Sequence, residues 1–129
     1  MLTIFVLPGE KNEDGQKLVN SFTLIPEIEV NYVVVENVPD INGYDKKTPW
    51  FGVFYGNEYI EEKLAVALPT FFKVEDFDFL VVYKKLKDKA LFFPRFYKSK
   101  LYLDDKLAPT FEGLKHEKIL NGWVLENEP

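Results

Sequence analysis

Two short apolar runs joined by a stretch with helical spacing decide the fold that this sequence predicts. The first run is LTIFVL at 2–7 and the second is YVVV at 32–35, inside the segment 29–38. Both are continuous and rich in β-branched side chains, which is typical of strands buried on both faces. Between them, one helix face carries four apolar side chains: Leu18, Val19, Phe22 and Ile25. A strand, a helix and a strand of this length form a βαβ unit, so we expect the two strands to be parallel.

The middle of the chain predicts one more strand and one more helix. The segment WFGVFY at 50–55 has the composition of a third strand, and residues 39–49 form the connector before it. Asn57 is typical of a helix N-cap, and acids follow in what would be the first turn, where the helix dipole favours them: Glu58, Glu61 and Glu62. We expect this helix to end at Pro69.

The last third of the chain predicts short strands arranged as hairpins. Strands are expected at 77–83 and 91–93, with the turn between them at 87–89. We expect 96–97 to pair with 101–103. Residues 104–122 mix proline, glycine and polar groups and predict no regular element before a final strand at 123–125.

Length and composition fit one domain over residues 1–129 and exclude several classes of protein. The chain has no cysteine, which excludes a disulfide scaffold, a cysteine-ligated zinc site and a thiol nucleophile, and its single histidine excludes a site with several histidines. Neither a leader with a basic start nor an apolar run long enough for a membrane span is visible. The sequence therefore predicts a cytoplasmic protein, or a virion-associated one if the chain belongs to a bacterial virus.

Charge is distributed unevenly along the chain. The formal net charge is −5, which argues against general nucleic-acid binding. Residues 84–106 nevertheless carry eight basic and three acidic side chains, a local charge of +5. This asymmetry either steers an anionic partner to one surface or protects exposed strands from aggregation by means of lysines.

Polar residues gather at the predicted carboxyl ends of the parallel strands, where open α/β sheets bind ligands. The candidates there are Glu10, Asn12, Glu13, Glu36, Asn37, Asp40, Asn57 and Glu58. Their oxygen atoms suit a polar ligand with a divalent cation, although loops and helix caps recruit the same residue types. His116 is either a ligand or a surface residue. Arg95 either holds an anion or pairs with a nearby carboxylate.

Five segments, taken in order, resemble motifs of the family 2 glycosyltransferase catalytic domain, which has the GT-A fold. They are NE at 12–13, VVVEN at 33–37 with Asp40 after it, WFGVFYGNE at 50–58, FPRFYK at 93–98 and HEK at 116–118. The resemblance implies a small GT-A-like α/β domain of three layers, whose mixed sheet has C-terminal β-hairpins. It also implies a nucleotide-sugar cleft formed by Asn12, Glu13, Glu36, Asp40, Asn57, Glu58 and His116.

The sequence departs from that family where the family binds its metal. Tyr55 and Asn57 stand in the places of two aspartates that hold the cation bridging the sugar-nucleotide diphosphate. We therefore predict no catalytic residue, no metal site and no cofactor, with a divalent cation only if the degenerate site is active. The remaining anion-binding candidates are Arg95, Lys98 and Lys100.

Three functional hypotheses follow. The first is a non-catalytic glycosyltransferase-like domain that binds a protein partner or serves as a structural component. The alternative is a minimal glycosyltransferase or sugar-nucleotide binder. The third is an electrostatic binder that uses residues 84–106 against an anionic surface, nucleic acid included, although nucleic acid is the less expected partner.

Overall fold

A computed structural model describes residues 2–9, 16–23, 25, 28–74, 76–110 and 113–126 of the chain. Within them the protein is a mixed α/β structure built around one curled sheet. Its elements are β1 (Leu2–Leu7), α1 (Gln16–Phe22), β2 (Val30–Val34), α2 (Val38–Asn42), β3 (Trp50–Tyr55), β4 (Glu58–Ile60), α3 (Glu62–Phe72), β5 (Phe79–Lys85), β6 (Ala90–Lys98) and β7 (His116–Glu126).

The sheet has seven strands in the order β2-β1-β3-β6-β5-β7-β4. β1 pairs in parallel with β2 and with β3, which confirms the predicted βαβ unit. β6 is antiparallel to both of its neighbours, so β5 runs in the direction of β3, and β7 is parallel to β5. Five strands therefore share one direction, and their carboxyl ends lie at one edge of the sheet and their amino ends at the other.

The strands bury side chains on both faces, and the alternation within each strand separates two cores. Ile4 and Phe54 face the first core, which α1 and α3 cover with Leu18, Phe22, Leu64 and Leu68. Phe5 and Val53, their neighbours in sequence, face the second core, which α2 and the segment 101–107 cover. Continuous apolar runs such as 2–7 are thus explained by burial on both faces.

The prediction that Asn57 caps a helix is wrong. Residues 58–60 form β4, which pairs antiparallel with Glu126, Leu125 and Val124 of β7. α3 begins at Glu62 with Glu61 as its N-cap residue. The local signal for a helix start is overridden here because a strand distant in sequence supplies the hydrogen-bond partners of this segment.

The prediction that the following helix ends at Pro69 is also wrong, because α3 continues to Phe72. A proline inside a helix costs roughly 3 kcal/mol. The extra turn places Phe72 against Trp50 and Phe96, with ring centroids 5.4 and 5.5 Å apart, and burial of these rings offsets the cost. No helix among the described residues is long and apolar enough to cross a membrane.

Two further corrections concern the last third of the chain. Phe96 and Tyr97 pair with β3 and β5 and not with 101–103, because β6 extends to Lys98 as one strand. β7 begins at His116, within a region that was expected to lack strands. The turn at 87–89 is found between β5 and β6, and the predicted strand at 123–125 is the end of β7.

We expect Gly122→Ala to destabilise the protein more than Gly113→Ala. Both glycines have a positive φ, 97° and 73°, which costs an alanine roughly 1–2 kcal/mol. At Gly122 an added Cβ would also lie 2.7 Å from the backbone nitrogen of Leu64, whereas at Gly113 nothing lies within 4 Å. Overpacking therefore adds a loss of stability of about 1–3 kcal/mol at Gly122 but not at Gly113. Urea unfolding of both variants measures the difference, and equal losses of stability would contradict this account of how β7 passes α3.

Candidate functional site

Four of the predicted cleft residues lie at the carboxyl edge of the parallel strands: Glu36, Asp40, Asn57 and Glu58. Glu36 and Asp40 follow β2 and are exposed, and Asn57 follows β3 and is buried. Asp40 Oδ2 accepts a hydrogen bond from the backbone N–H of Glu36 at 3.3 Å. Asn37 Oδ1 caps α2 by accepting from the backbone N–H of Asp40 at 3.1 Å. Glu10, Asn12 and Glu13 lie outside the described residues.

Glu58, at the same edge, is completely buried and holds four hydrogen bonds. Its Oε1 accepts from the backbone N–H of Tyr55 at 2.7 Å and from Arg95 Nη1 at 2.6 Å. Its Oε2 accepts from Arg95 Nη2 at 3.0 Å and from Lys84 Nζ at 2.5 Å. The Arg95 guanidinium thus binds the carboxylate in the bidentate geometry that arginine favours. The carboxylate joins β4 to β5 and β6.

An irregularity between β5 and β6 brings Arg95 to Glu58. Leu80 pairs with Phe96 and Val81 pairs with Pro94, so Arg95 is an extra residue without a partner in the register. Such a bulge redirects a side chain and is common beside functional sites. The guanidinium lies over the ring of Phe54, 5.4 Å from its centroid. Of the two roles predicted for Arg95, binding an anion or pairing with a nearby carboxylate, the structure shows the pairing.

Charge in this network is balanced. Lys84 Nζ also lies 2.8 Å from Glu126 Oε1, so two acids and two bases meet. Burial raises the pKa of Glu58, but the charges and hydrogen bonds of Arg95 and Lys84 outweigh it and hold that pKa below its ordinary value of 4.5. Glu58 is therefore an ionised carboxylate whose oxygens are already in use. A cation at Glu58 would have to displace Arg95 or Lys84.

His116 lies away from the other predicted site residues. It begins β7 beside Phe79, the first residue of β5, and therefore sits at the amino edge of the parallel strands. Its ring stacks on Phe79, with centroids 5.1 Å apart. Lys98 and Lys100 lie at that same edge, because Lys98 pairs with Trp50 at the start of β3. The structure thus divides the predicted cleft residues between two opposite edges of the sheet.

No group of three histidine or acidic side chains is placed to hold a metal ion in the part of the chain that the structure describes. At the carboxyl edge, Glu36 and Asp40 carry exposed carboxylates, and Glu126 at the end of β7 is exposed as well but pairs with Lys84.

A second candidate site lies on the sheet face that carries the side chains of Phe79, Val81, Tyr83 and Lys85 along β5. Tyr83 contacts Phe92 of β6 and Trp123 of β7, with ring centroids 3.8 and 5.0 Å apart. Lys118 Nζ lies 4.6 Å from the centroid of Phe92, and Lys85 Nζ lies 6.0 Å from that of Trp123. We call these five residues the aromatic face: Lys85, Lys118, Tyr83, Phe92 and Trp123.

The aromatic face reaches solvent. Its three rings are half-buried and its two lysines are exposed. By contrast, the segment 101–107 covers the second core further along the same face of the sheet, around Tyr97. The sequence does not single out these three rings, because it predicts that most of the aromatic residues lie in the core. Alternation along 79–85 places Tyr83 and Lys85 on one face, but only the register with β6 and β7 shows which rings join them.

We expect Glu58→Gln to lower the free energy of unfolding by about 3–5 kcal/mol, because it leaves Arg95 buried beside a neutral amide. Urea unfolding measures this loss. Asp45→Asn is the matched control: Asp45 pairs with Lys47 at 2.6 Å, but both side chains are about 80% exposed. An exposed pair contributes about 0–1 kcal/mol. Similar losses in the two variants would contradict the structural role of Glu58.

The same carboxylate predicts a particular dependence of stability on pH. Because folding lowers the pKa of Glu58 below 4.5, its contribution is complete above that pH and is lost as the pH falls through the folded-state pKa. We therefore expect the difference in unfolding free energy between the wild type and Glu58→Gln to be constant near neutral pH. It narrows in acid. A difference that stays constant down to the acid transition would contradict the lowered pKa.

No protein-family model matches this chain, and no curated protein is significantly similar to it. The resemblance to the family 2 glycosyltransferases therefore stays a prediction that rests on the segments quoted above. What supports a function for this chain is the geometry of its own residues.

Proposed function

We propose that the protein is a binding protein that holds an acidic segment of a protein partner on its aromatic face. The observation that carries the proposal is the continuous stack Lys118–Phe92–Tyr83–Trp123–Lys85, which stands half open to solvent on a sheet face. Aromatic side chains are enriched in the centres of protein interfaces and provide much of their binding energy.

The geometry of the stack favours carboxylates as the groups it binds. Phe92 contacts both Tyr83 and Lys118, and Trp123 contacts both Tyr83 and Lys85, with the ring planes inclined by 35° and 54°, so neighbours cover part of each ring face. Ring edges, which carry the positive end of the aromatic quadrupole, are therefore what the stack offers a partner. Ring edges beside two ammonium groups attract oxygen anions.

The same features make single-stranded nucleic acid a poorer partner. Bases bind proteins by stacking on free aromatic faces, and the faces of these rings are partly covered by one another and by two lysines. The chain outside 84–106 carries a formal charge of −10, which repels a long polyanion beyond the local positive region. A short acidic segment needs to contact only Lys85 and Lys118, so it meets less of that repulsion than a long polyanion does.

We also propose that the domain is GT-A-like. In such a domain the carboxyl edge binds the ligand, but here Glu58 at that edge is bound by Arg95 and Lys84 and holds the strands together. This supports the non-catalytic alternative among the hypotheses.

A sugar-nucleotide binder or minimal glycosyltransferase is the second candidate. One observation favours it: Glu36, Asp40 and Asn57 follow the carboxyl ends of β2 and β3, the two strands that flank β1 in parallel. In this case the ligand binds at that edge and leaves the aromatic face unaffected.

The test is a titration of the isotopically labelled protein, followed by its amide and indole NMR signals, with a short peptide of alternating glutamate and leucine. We expect shifts at Trp123 and Lys118 and a Kd of about 0.1 mM that weakens as salt is added. Trp123→Ala and Lys118→Glu should each weaken binding about tenfold. Lys106→Glu, which changes an exposed lysine outside the aromatic face, is the matched control and should leave the Kd unchanged.

Three results would overturn the proposal. The first is the absence of shifts with the acidic peptide, and the second is equal loss of binding in Lys118→Glu and Lys106→Glu. The third is tighter binding of an oligothymidylate than of the peptide, which would favour nucleic acid. Addition of uridine diphosphate glucose with Mg²⁺ tests the second candidate, since its binding shifts Glu36, Asp40 and Asn57 instead.

A further inference from the structure

A pocket of about 450 Å³ lies at the amino edge of the parallel strands, opposite to the edge of Glu36, Asp40 and Asn57, and shares no lining residue with the aromatic face. Trp50 at the start of β3 and Phe72 and Val74 at the end of α3 line one side of it. Lys98, Ser99 and Lys100, which end β6 and begin the next turn, line the other side. The volume falls within the usual range for small-molecule sites, roughly 300–1,000 Å³.

The polar side of this pocket is held in place by the backbone. Ser99 donates its N–H to the carbonyl of Pro49 at 3.0 Å and its hydroxyl to the carbonyl of Thr48. Lys98 donates its N–H to the carbonyl of Asp78 at 3.0 Å. Thr48 is itself buried and hydrogen-bonded to Thr3. The two lysines therefore project from a fixed segment, which reduces the entropy lost on binding.

The apolar side is equally well supported. Trp50 is almost fully buried and packs against Phe72, which is half-buried, as is Val74. Trp50 and Phe72 are held by their contacts with the first core, so this part of the apolar wall is fixed.

We propose that this pocket binds a small organic anion that combines a flat ring with a phosphate or carboxylate group. The ring would contact Phe72 and Val74, and the anionic group would lie beside the ammonium group of Lys100. Pockets that bind such ligands combine an apolar wall with a few convergent charged groups.

The ion pair that Lys100 already makes does not block this role. Its Nζ lies 3.8 Å from Asp78 Oδ1, and the Lys100 side chain is 70% exposed. Such a pair contributes about 0–1 kcal/mol and is readily rearranged. Asp78 Oδ2 accepts in addition the backbone N–H of Lys115, which keeps this carboxylate occupied when Lys100 turns to a ligand.

The two tryptophans provide separate reporters, because Trp50 lines this pocket and Trp123 belongs to the aromatic face. Their two indole N–H signals are assigned with the Trp123→Phe variant. We would titrate the wild type with adenosine monophosphate, with 1-naphthoate, with adenosine and with inorganic phosphate. Binding of the first two probes should shift the Trp50 indole and the amides of 98–100, with the Trp123 indole unchanged.

Adenosine and phosphate alone should each bind at least about tenfold more weakly, because each lacks one of the two groups. Lys100→Glu should weaken binding of the successful probe at least about fivefold, whereas Lys106→Glu should leave it unchanged. Binding of either adenosine monophosphate or 1-naphthoate supports the proposal. The probe that binds shows whether the pocket takes a phosphate on a nucleoside or a carboxylate on an aromatic ring. The proposal is overturned if neither probe shifts Trp50 at about 5 mM, or if Lys100→Glu binds as the wild type does.

Discussion

The buried pairing of Glu58 with Arg95 and Lys84 is the interaction on which the rest of this structure depends. It joins β4 to the β5–β6 hairpin, and Lys84 extends it to Glu126 at the end of β7. Charges buried at this depth are tolerated only when paired and hydrogen-bonded. All four acceptor positions of the carboxylate are used, so its geometry fixes where these strands can lie.

This use of Glu58 links the fold to the proposed function. The carboxyl edge is where α/β sheets bind ligands, and the acid that stands closest to the end of β3 is committed to an internal ion pair there. The Lys84–Glu126 ion pair adds to the backbone pairing of β5 with β7, and the register of β5 with β6 and β7 brings Tyr83, Phe92 and Trp123 together. The ion pairs at the carboxyl edge thus support the strands that carry the aromatic face.

Sequence alone was sufficient for the parts of the fold that depend on local patterns. The parallel pairing of 2–7 with 30–34 was predictable because apolar runs flank a helical stretch. β4 was not, because the acids after Asn57 favour a helix start locally and only the strand 124–126 supplies a competing partner. The position of His116 also depends on strand direction, because β7 begins at the edge of the sheet opposite to Glu36, Asp40 and Asn57. The aromatic face depends on register between three strands, which no local pattern shows.

The measurement that tests the central claim most directly is the carbon-13 NMR signal of the Glu58 side-chain carboxyl, followed through acid titration and on addition of Mg²⁺. The account predicts a carboxylate that is still ionised at pH values below its ordinary pKa of 4.5 and a signal that Mg²⁺ does not move. A pKa at or above 4.5, or a shift on addition of Mg²⁺, would contradict it. Glu58 would then be available to a ligand and not committed to holding the sheet together.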